Sequence, residues 1–266
     1  MKIKDSKLYT SVNVYLNGPD GMNNEVTMWA VSAGILLKEL AKKKLNTSYG
    51  GLHHHIGPEV RTSLLEFSIL DMCSGPGNFP NYLSLITDKM KVVGVDINPL
   101  FVKAANERFN QYGWQFKEAN ACSVDLDKKF NFVTASSAYH HIEDKNKVLF
   151  LNNIKRHLLP TGKVIVCENL LPRYYSQSKR KLAVNLYYHF LEKYLKGGNA
   201  TTESLEAIVE VRKLELSEVE EHKVDFHRFK QHIKKADLEI EIDIPVWQPS
   251  VFKETNAGSH VFLLRQ

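Results

Sequence analysis

The sequence predicts an α/β protein built on a doubly wound, mostly parallel sheet. From Phe67 onward, short apolar runs alternate with longer stretches of helical period, the pattern of βαβ units. The run Ile69-Leu70-Asp71-Met72-Cys73-Ser74-Gly75-Pro76-Gly77-Asn78-Phe79 passes from an apolar strand through an acid and a two-glycine turn into a helical pattern. A second acid, Asp96, closes the next apolar run 25 residues after Asp71. In an open α/β sheet such loops lie at the carboxyl ends of the strands, where ligands bind.

The strands expected are Phe67–Cys73, Lys91–Asp96, Trp114–Ala119, Phe130–Ser136, Gly162–Glu168, Leu238–Ile244 and Ser259–Leu264. Before them, Glu25 to about Leu45 reads as a helix. Met28, Val31, Ile35, Leu36 and Leu40 recur at helical spacing, and lysines crowd the last turn where they suit the helix dipole. Asn17-Gly18-Pro19-Asp20-Gly21 is a turn cluster, and Pro58 opens a short helix after His53-His54-His55. Helices are expected near 77–88, 99–111 and 143–158, with Pro99 at the start of the second and Pro160-Thr161-Gly162 after the third. Tyr174 to Leu195 and Thr201 to Leu216 read as two helices that interrupt the alternation. A helix near 225–236 restores it. The last two strands are joined by a loop with Pro245 and Pro249 and no crossover helix, so they are expected to be antiparallel.

The bulk properties set few limits. A chain of 266 residues with 43% hydrophobic and 24% charged residues is ordinary for a globular protein, and no apolar run is long enough to span a membrane. The N-terminus lacks the apolar core of a secretory signal, and Cys73, Cys122 and Cys167 form no C-x-x-C pair, so free thiols in a reducing cytoplasm are expected. A net charge of +5 from scattered basic residues neither demands nor forbids an anionic partner.

The loop after the first strand narrows the ligand. Gly75 and Gly77 let the backbone approach a ligand closely, yet Pro80 stands where a dinucleotide fingerprint has its third glycine. Asp71 would repel a pyrophosphate and attract an ammonium. Asp96 can accept two ribose hydroxyls, with Asn98 better placed than Asp96 to cap the helix opened by Pro99. His140 and His141 follow the fourth strand, at the same edge, and histidine is readily tuned to take a proton near neutral pH. The expectation is that His140 faces the substrate while His141 supports it or packs inward; capping or packing by both is the alternative.

With these residues in view, the chain resembles the class I S-adenosylmethionine-dependent methyltransferases. Asp71-Met72-Cys73-Ser74-Gly75-Pro76-Gly77 resembles their first motif and Asp96 their ribose-binding acid. Ser136-Ser137-Ala138-Tyr139-His140-His141-Ile142 resembles the fourth motif of the small-molecule, ubiquinone-biosynthesis type, and Leu158-Leu159-Pro160-Thr161-Gly162-Lys163 their turn before the fifth strand. The departure is Cys73, where the family has glycine. The resemblance implies a seven-stranded sheet of order 3-2-1-4-5-7-6, with S-adenosyl-L-methionine held by Asp71, Cys73, Ser74, Gly75, Gly77, Asp96, Ile97, Asn120, Ala121 and Ser136. It implies a Rossmann-like domain from 67–171 and 223–266, an N-terminal helical cap over 1–66 and a helical lid over 172–222.

Methyl transfer to an oxygen or nitrogen of a small metabolite is the function this implies, with His140 and His141 as catalytic candidates. His54, Glu168, Tyr175 and Tyr187 are candidate substrate contacts; an exposed loop for His54 and ordinary core for Tyr187 stay open. No metal is expected. An RNA or protein methyltransferase is one alternative, disfavoured by the absence of an Asn/Asp-Pro-Pro-Tyr fourth motif and of a basic stripe. A cofactor-binding protein with other chemistry or a scaffold role is another. A monomer or a homodimer fits equally.

Overall fold

The computed structural model describes residue 12 and residues 23–45, 67–86, 89–198, 200–219 and 221–266. The expected turn at 17–21, the helix opened by Pro58 and the triplet His53–His55, with the candidate His54, lie outside the described residues.

The elements in chain order are α1 (Asn23–Leu45), β1 (Ser68–Met72), α2 (Asn78–Ile86), β2 (Lys91–Asp96), α3 (Pro99–Phe109), β3 (Gln115–Glu118), β4 (Phe130–Ser136), α4 (Lys147–Arg156), β5 (Leu158–Leu170), α5 (Gln177–Gly197), α6 (Thr202–Ser217), α7 (Phe226–Lys235), β6 (Glu239–Trp247) and β7 (Gly258–Arg265). The strands form one seven-stranded sheet of order β3-β2-β1-β4-β5-β7-β6. The first five strands in chain order pair in parallel, and β7 runs antiparallel to both β5 and β6. This is the Rossmann-like α/β architecture the strand–helix alternation predicts.

Both faces of the sheet are covered, which is why its central strands are apolar on both sides. On one face Leu70, Met72 and Val95 meet Phe150, Leu151 and Ile154 of α4 and Phe229 and Ile233 of α7. On the other, Ile69, Val92, Phe132 and Val261 meet Met28, Trp29 and Leu36 of α1, Phe79 and Leu83 of α2, and Phe109 of α3. The side-chain period of two along β7 is visible in this division: Val261 and Leu263 face one layer, Phe262 and Leu264 the other. α1 therefore packs directly on the sheet, against β5, β6 and β7. A third cluster joins α5 and α6 to the β6–β7 connection through Tyr187, Tyr188, Leu191, Ile208, Trp247 and Phe252.

Several boundaries differ from expectation, and the helix expected from Tyr174 starts at Gln177. Leu158–Lys163 is a bulge inside β5, not a turn before it: Phe130 pairs with Leu158 and Phe132 already with Lys163. Gly162 is required there, since a Cβ would stand 2.9 Å from the Leu159 carbonyl oxygen. β6 runs on through Pro245 to Trp247, because an edge strand tolerates a missing donor. The helix expected from 143 starts at Lys147, after a 3₁₀ turn over Asp144–Asn146. Among the described residues no helix is long and apolar enough to cross a membrane.

Gly77, in the loop after β1, is under a tight steric constraint. Its φ is +88°, and a Cβ would lie 2.3 Å from Cε2 of Phe109, a ring held by Trp114 with centroids 5.3 Å apart. Gly77→Ala is expected to cost about 2–4 kcal/mol in urea unfolding, from overpacking plus the left-handed backbone. Trimming the obstacle in Gly77→Ala/Phe109→Leu should lose less than the sum of the two single changes; strict additivity would reject the steric account.

Candidate active site

The residues singled out in the sequence converge at the carboxyl edge of the parallel strands. Parallel pairing makes this geometric: Asp71 lies opposite Gly94 in β2 and Thr134 in β4, so β1, β2 and β4 end together. The chain leaves β1 through Cys73 with φ +56° and leaves β4 through Ser137 with φ +50°. Left-handed backbone at two non-glycine residues, at the same edge, is strain of the kind that gathers at functional sites.

The glycine loop is tied to β2. Gly75 N–H donates to Asp96 Oδ2 at 2.8 Å, Asn98 N–H donates to Asp96 Oδ1 at 2.9 Å, and Ser74 N–H donates to the Val95 carbonyl at 2.9 Å. Asp96 thus holds the loop while sitting at the mouth of β2, and Asn98 takes the cap of α3 by accepting from Leu100 N–H. A carboxylate oxygen has two lone pairs, so one that accepts a backbone N–H can still accept a hydroxyl. The buried Ser74 hydroxyl has no hydrogen-bond partner among the described residues. Ile97 is half-buried beside Asp96. Asn120 uses its side-chain oxygen to accept from Cys122 N–H at 2.9 Å, shaping the turn that places buried Ala121. Ser136 ends β4 with its hydroxyl buried.

Asp71 is only 2% exposed and its Oδ1 accepts from Thr134 Oγ1 at 2.6 Å. Burial pushes its pKa up to about 7, with the neighbouring Asp96 adding to the rise and Thr134 opposing it.

The histidine pair sits in a 3₁₀ turn over Tyr139–His141, held from below by buried Lys147, whose ammonium donates to the Tyr139 and Ile142 carbonyls at 2.9 and 2.8 Å. Burial lowers the Lys147 pKa to about 8. His140 lies deeper than expected, between two carboxylates. Its Nδ1 is 2.6 Å from Glu168 Oε1, its backbone N–H donates to Glu168 Oε2, and its Nε2 is 3.6 Å from Glu221 Oε2. His141 is the more open of the two, with Nδ1 3.2 Å from Glu221 Oε1 and the rings packed edge to face at 4.1 Å. Glu168, a candidate substrate contact, is instead fully buried as the partner of His140, and burial raises its pKa to about 7.

Two further acids reach this edge from distant sequence. Glu25, in the first turn of α1, accepts from Asn169 Nδ2 at 2.7 Å and from the Ser137 hydroxyl. Glu221 comes from the segment that returns from α6 and is bonded to Lys223 Nζ at 2.7 Å. Nothing in the sequence marked either: an acid in a first helical turn has an ordinary dipole role, and Glu221 lies in a charged run. His140, His141 and Glu221 are, among the described residues, the cluster whose donor atoms lie within 4.8 Å of one another. The Lys223 ammonium is ion-paired with the same carboxylate.

Two candidates stand elsewhere. Tyr187 is core: it is fully buried, crosses Trp247 edge to face at 5.4 Å and donates to Asn169 Oδ1 at 3.1 Å. Its helical spacing left core and site equally open, and the β6–β7 connection decided it. Tyr175 is 76% exposed and lines a separate cleft of about 250 Å³ with Arg173 and Arg228.

Residues 69–162 match the family model described as a methyltransferase domain. An uncharacterized methyltransferase of Schizosaccharomyces pombe is 30% identical over 112 residues, which is 38% of this chain and 38% of that protein. The chain thus spans well under half the length of the curated relative it matches. Among solved structures, PKMT2 from Rickettsia typhi in complex with AdoHcy superposes with a TM-score of 0.52 at 17% identity, covering 76% of this chain and 49% of that one. An O-methyltransferase from neocarzinostatin biosynthesis, bound to S-adenosylmethionine and a hydroxy-methyl naphthoic acid, gives 0.50 at 13% identity over 77% and 50%. The fold is that of the class I methyltransferases, and the matched segment contains the glycine loop, Asp96 and the histidine pair.

The Asp71 carboxyl binds its proton more tightly in the folded chain, about 7 against 3.8. Its contribution to stability is therefore present below about pH 4 and is lost as pH rises through about 7. Asp71→Asn keeps an acceptor for Thr134 and cannot ionise. The difference in melting temperature, wild type minus variant, should fall by about 5 °C between pH 5 and pH 8, corresponding to about 2 kcal/mol. Parallel pH curves for the two proteins would refute the buried-charge assignment.

Proposed function

We propose that this chain carries out S-adenosylmethionine-dependent methyl transfer to an oxygen or nitrogen atom of a small molecule. The observation that carries the reading is the convergence of Asp71, Gly75, Asp96 and the His140–His141 pair at one sheet edge, around the β1–β4 switch point where the strand order reverses. Two acids at this edge oppose a pyrophosphate and suit a ligand that has an ammonium at one end and ribose hydroxyls further along. The residues present fit that ligand: Asp96 at the mouth of β2 suits the ribose, the loop Cys73–Gly77 with its partnerless Ser74 hydroxyl suits the amino-acid end, and Asn120 and Ala121 suit the base.

When bound, the cofactor supplies an electrophilic methyl group on a sulfonium. The chain's task is then to align an acceptor atom with that methyl and to take its proton if it starts as O–H or N–H. An acceptor held in line with that methyl group would give up its O–H or N–H proton to the histidine pair. His141, the more open ring, is the first receiver in this reading. His140 stands behind it, with a proton shared between its Nδ1 and Glu168 Oε1. The O-methyltransferase neighbour acts in the same reading as a guide to acceptor class, a small aromatic hydroxyl compound.

Isothermal titration with S-adenosylmethionine and S-adenosylhomocysteine is the first test. Micromolar binding of both is expected, no heat from NAD, and at least tenfold weaker binding for Asp96→Ala, about 1.4 kcal/mol or more. Absence of binding by either sulfur compound would end this reading. A panel of phenols and amines, read by release of S-adenosylhomocysteine, then selects the acceptor, with His141→Ala expected to slow turnover about 100-fold.

A further inference from the structure

The return segment from the helical insertion is built into the histidine pair more firmly than a loop connection requires. His222 N–H donates to the His140 carbonyl at 2.7 Å, and the Leu171 N–H at the end of β5 donates to the Val224 carbonyl. Lys223 is buried with both its charged and backbone groups engaged. Its ammonium bonds Glu221 Oε2 at 2.7 Å and Glu215 Oε2 at 3.3 Å, and its N–H donates to Glu215 Oε1 at 3.0 Å. Glu215, in the last turn of α6, is itself fixed by Arg180 of α5, which also reaches the Glu215 and Lys223 carbonyls. All four side chains, Arg180, Glu215, Glu221 and Lys223, are buried.

We propose that Lys223 is a positioning residue: clamped by Glu215 of the insertion, it fixes Glu221 against His140 and His141 and so lets the helical insertion set the basicity of that pair. The inference rests on the reading of the pair as the proton acceptor. The physical argument is one of charge balance in a dry site. The groups facing the pair are Glu168 from β5, Lys147 from α4, and Glu221, His222 and Lys223 from the return segment, with Glu25 of α1 interacting with Glu168. A buried carboxylate beside two imidazoles favours their protonated forms; a lysine on that carboxylate opposes this and leaves an imidazole free to accept a proton. Burial works against the Lys223 charge, but Glu221, Tyr188 and Glu215 outweigh it and hold its pKa well above the ordinary lysine range. Lys223 therefore stays charged throughout the range in which histidine titrates. Without it, the buried Glu221 carboxylate loses its lysine counter-charge and favours the protonated form of the imidazoles beside it.

The test follows the histidines of the full chain by long-range ¹H–¹⁵N spectra from pH 5 to 9, with His140→Gln and His141→Gln assigning the signals. Lys223→Met should raise the titration midpoint of the pair by about one unit, a tenfold loss of free base at neutral pH. Lys223→Arg should stay within about 0.3 unit of wild type. Binding of S-adenosylhomocysteine to Lys223→Met should remain within about twofold, because the change is remote from the cofactor residues. Coincident midpoints in wild type and a folded Lys223→Met protein would overturn the proposal, as would an equal shift in Lys223→Arg. If Lys223→Met does not fold, Lys223→Gln, which keeps a hydrogen-bond donor for Glu221 but removes the charge, should raise the midpoint in the same way, and no shift overturns the proposal. Failure of the methyl-transfer reading shows separately, as absence of cofactor binding by the wild-type protein.

Discussion

Burying carboxylates at the end of a sheet is expensive, and the candidate site is organised around meeting that cost. Asp71, Asp96, Glu168 and Glu221 all lie at or beside the carboxyl edge and are almost wholly removed from solvent. Each is given hydrogen-bond donors from a different part of the chain: Thr134 for Asp71, the Gly75 and Asn98 amides for Asp96, His140 for Glu168, Lys223 for Glu221. A buried ion without such donors would shift to its neutral form or destabilise the fold. The same donors that stabilise the acids also hold the glycine loop, orient the histidines and attach the helical insertion. Site geometry and fold are one set of interactions here.

The two halves of the edge are arranged for different work. Around β1 and β2 the acids are held by fixed donors, Asp71 by the Thr134 hydroxyl and Asp96 by backbone amides, which suits recognition of a ligand with fixed polar groups. Around β4 and β5 the acids and imidazoles are in direct contact, and Glu168 is poised near neutrality, which suits proton movement. Left-handed residues close both halves, Cys73 on one and Ser137 on the other. Cys73 is the departure from the family pattern noted in the sequence. It takes up left-handed backbone, a conformation that favours glycine.

The helices α5 and α6 share an apolar centre with the β6–β7 connection, in which Tyr187, Tyr188, Trp247 and Phe252 pack edge to face or stacked. Their polar connection to the sheet runs through Arg180, Glu215 and Lys223. Buried ion pairs are poor sources of net stability, because desolvation offsets most of the attraction, but they are selective about geometry. A shift of α6 would break Glu215 from Lys223 before it disturbed the sheet. That makes the network a means of coupling the position of two helices to the electrostatics of the histidine pair.

The sequence by itself determined the sheet, its parallel sense over the first five strands, and the edge where the candidate site residues gather. Strand and helix periods are local, and the glycine loop and Asp96 are recognisable because their roles require particular residue types at particular places along one βαβ unit. Only the tertiary structure decided the partners. Glu25 meets Asn169 across 144 residues, and His140 meets Glu168 across 28 and then Glu221 from the far end of an insertion. Glu, Lys and His carry no period that says which neighbour will face them, so nothing in the sequence singles out Glu221 and Lys223 from the charged residues around them. The aromatic residues of α5 posed the same difficulty: helical spacing showed that Tyr187 and Phe190 share a face, while what covers that face was fixed by Trp247 and Phe252, brought there by the closing antiparallel pair. Local chemistry writes the frame and half of the site; contacts between distant segments, set by packing and charge neutralisation in a dry interior, write the other half.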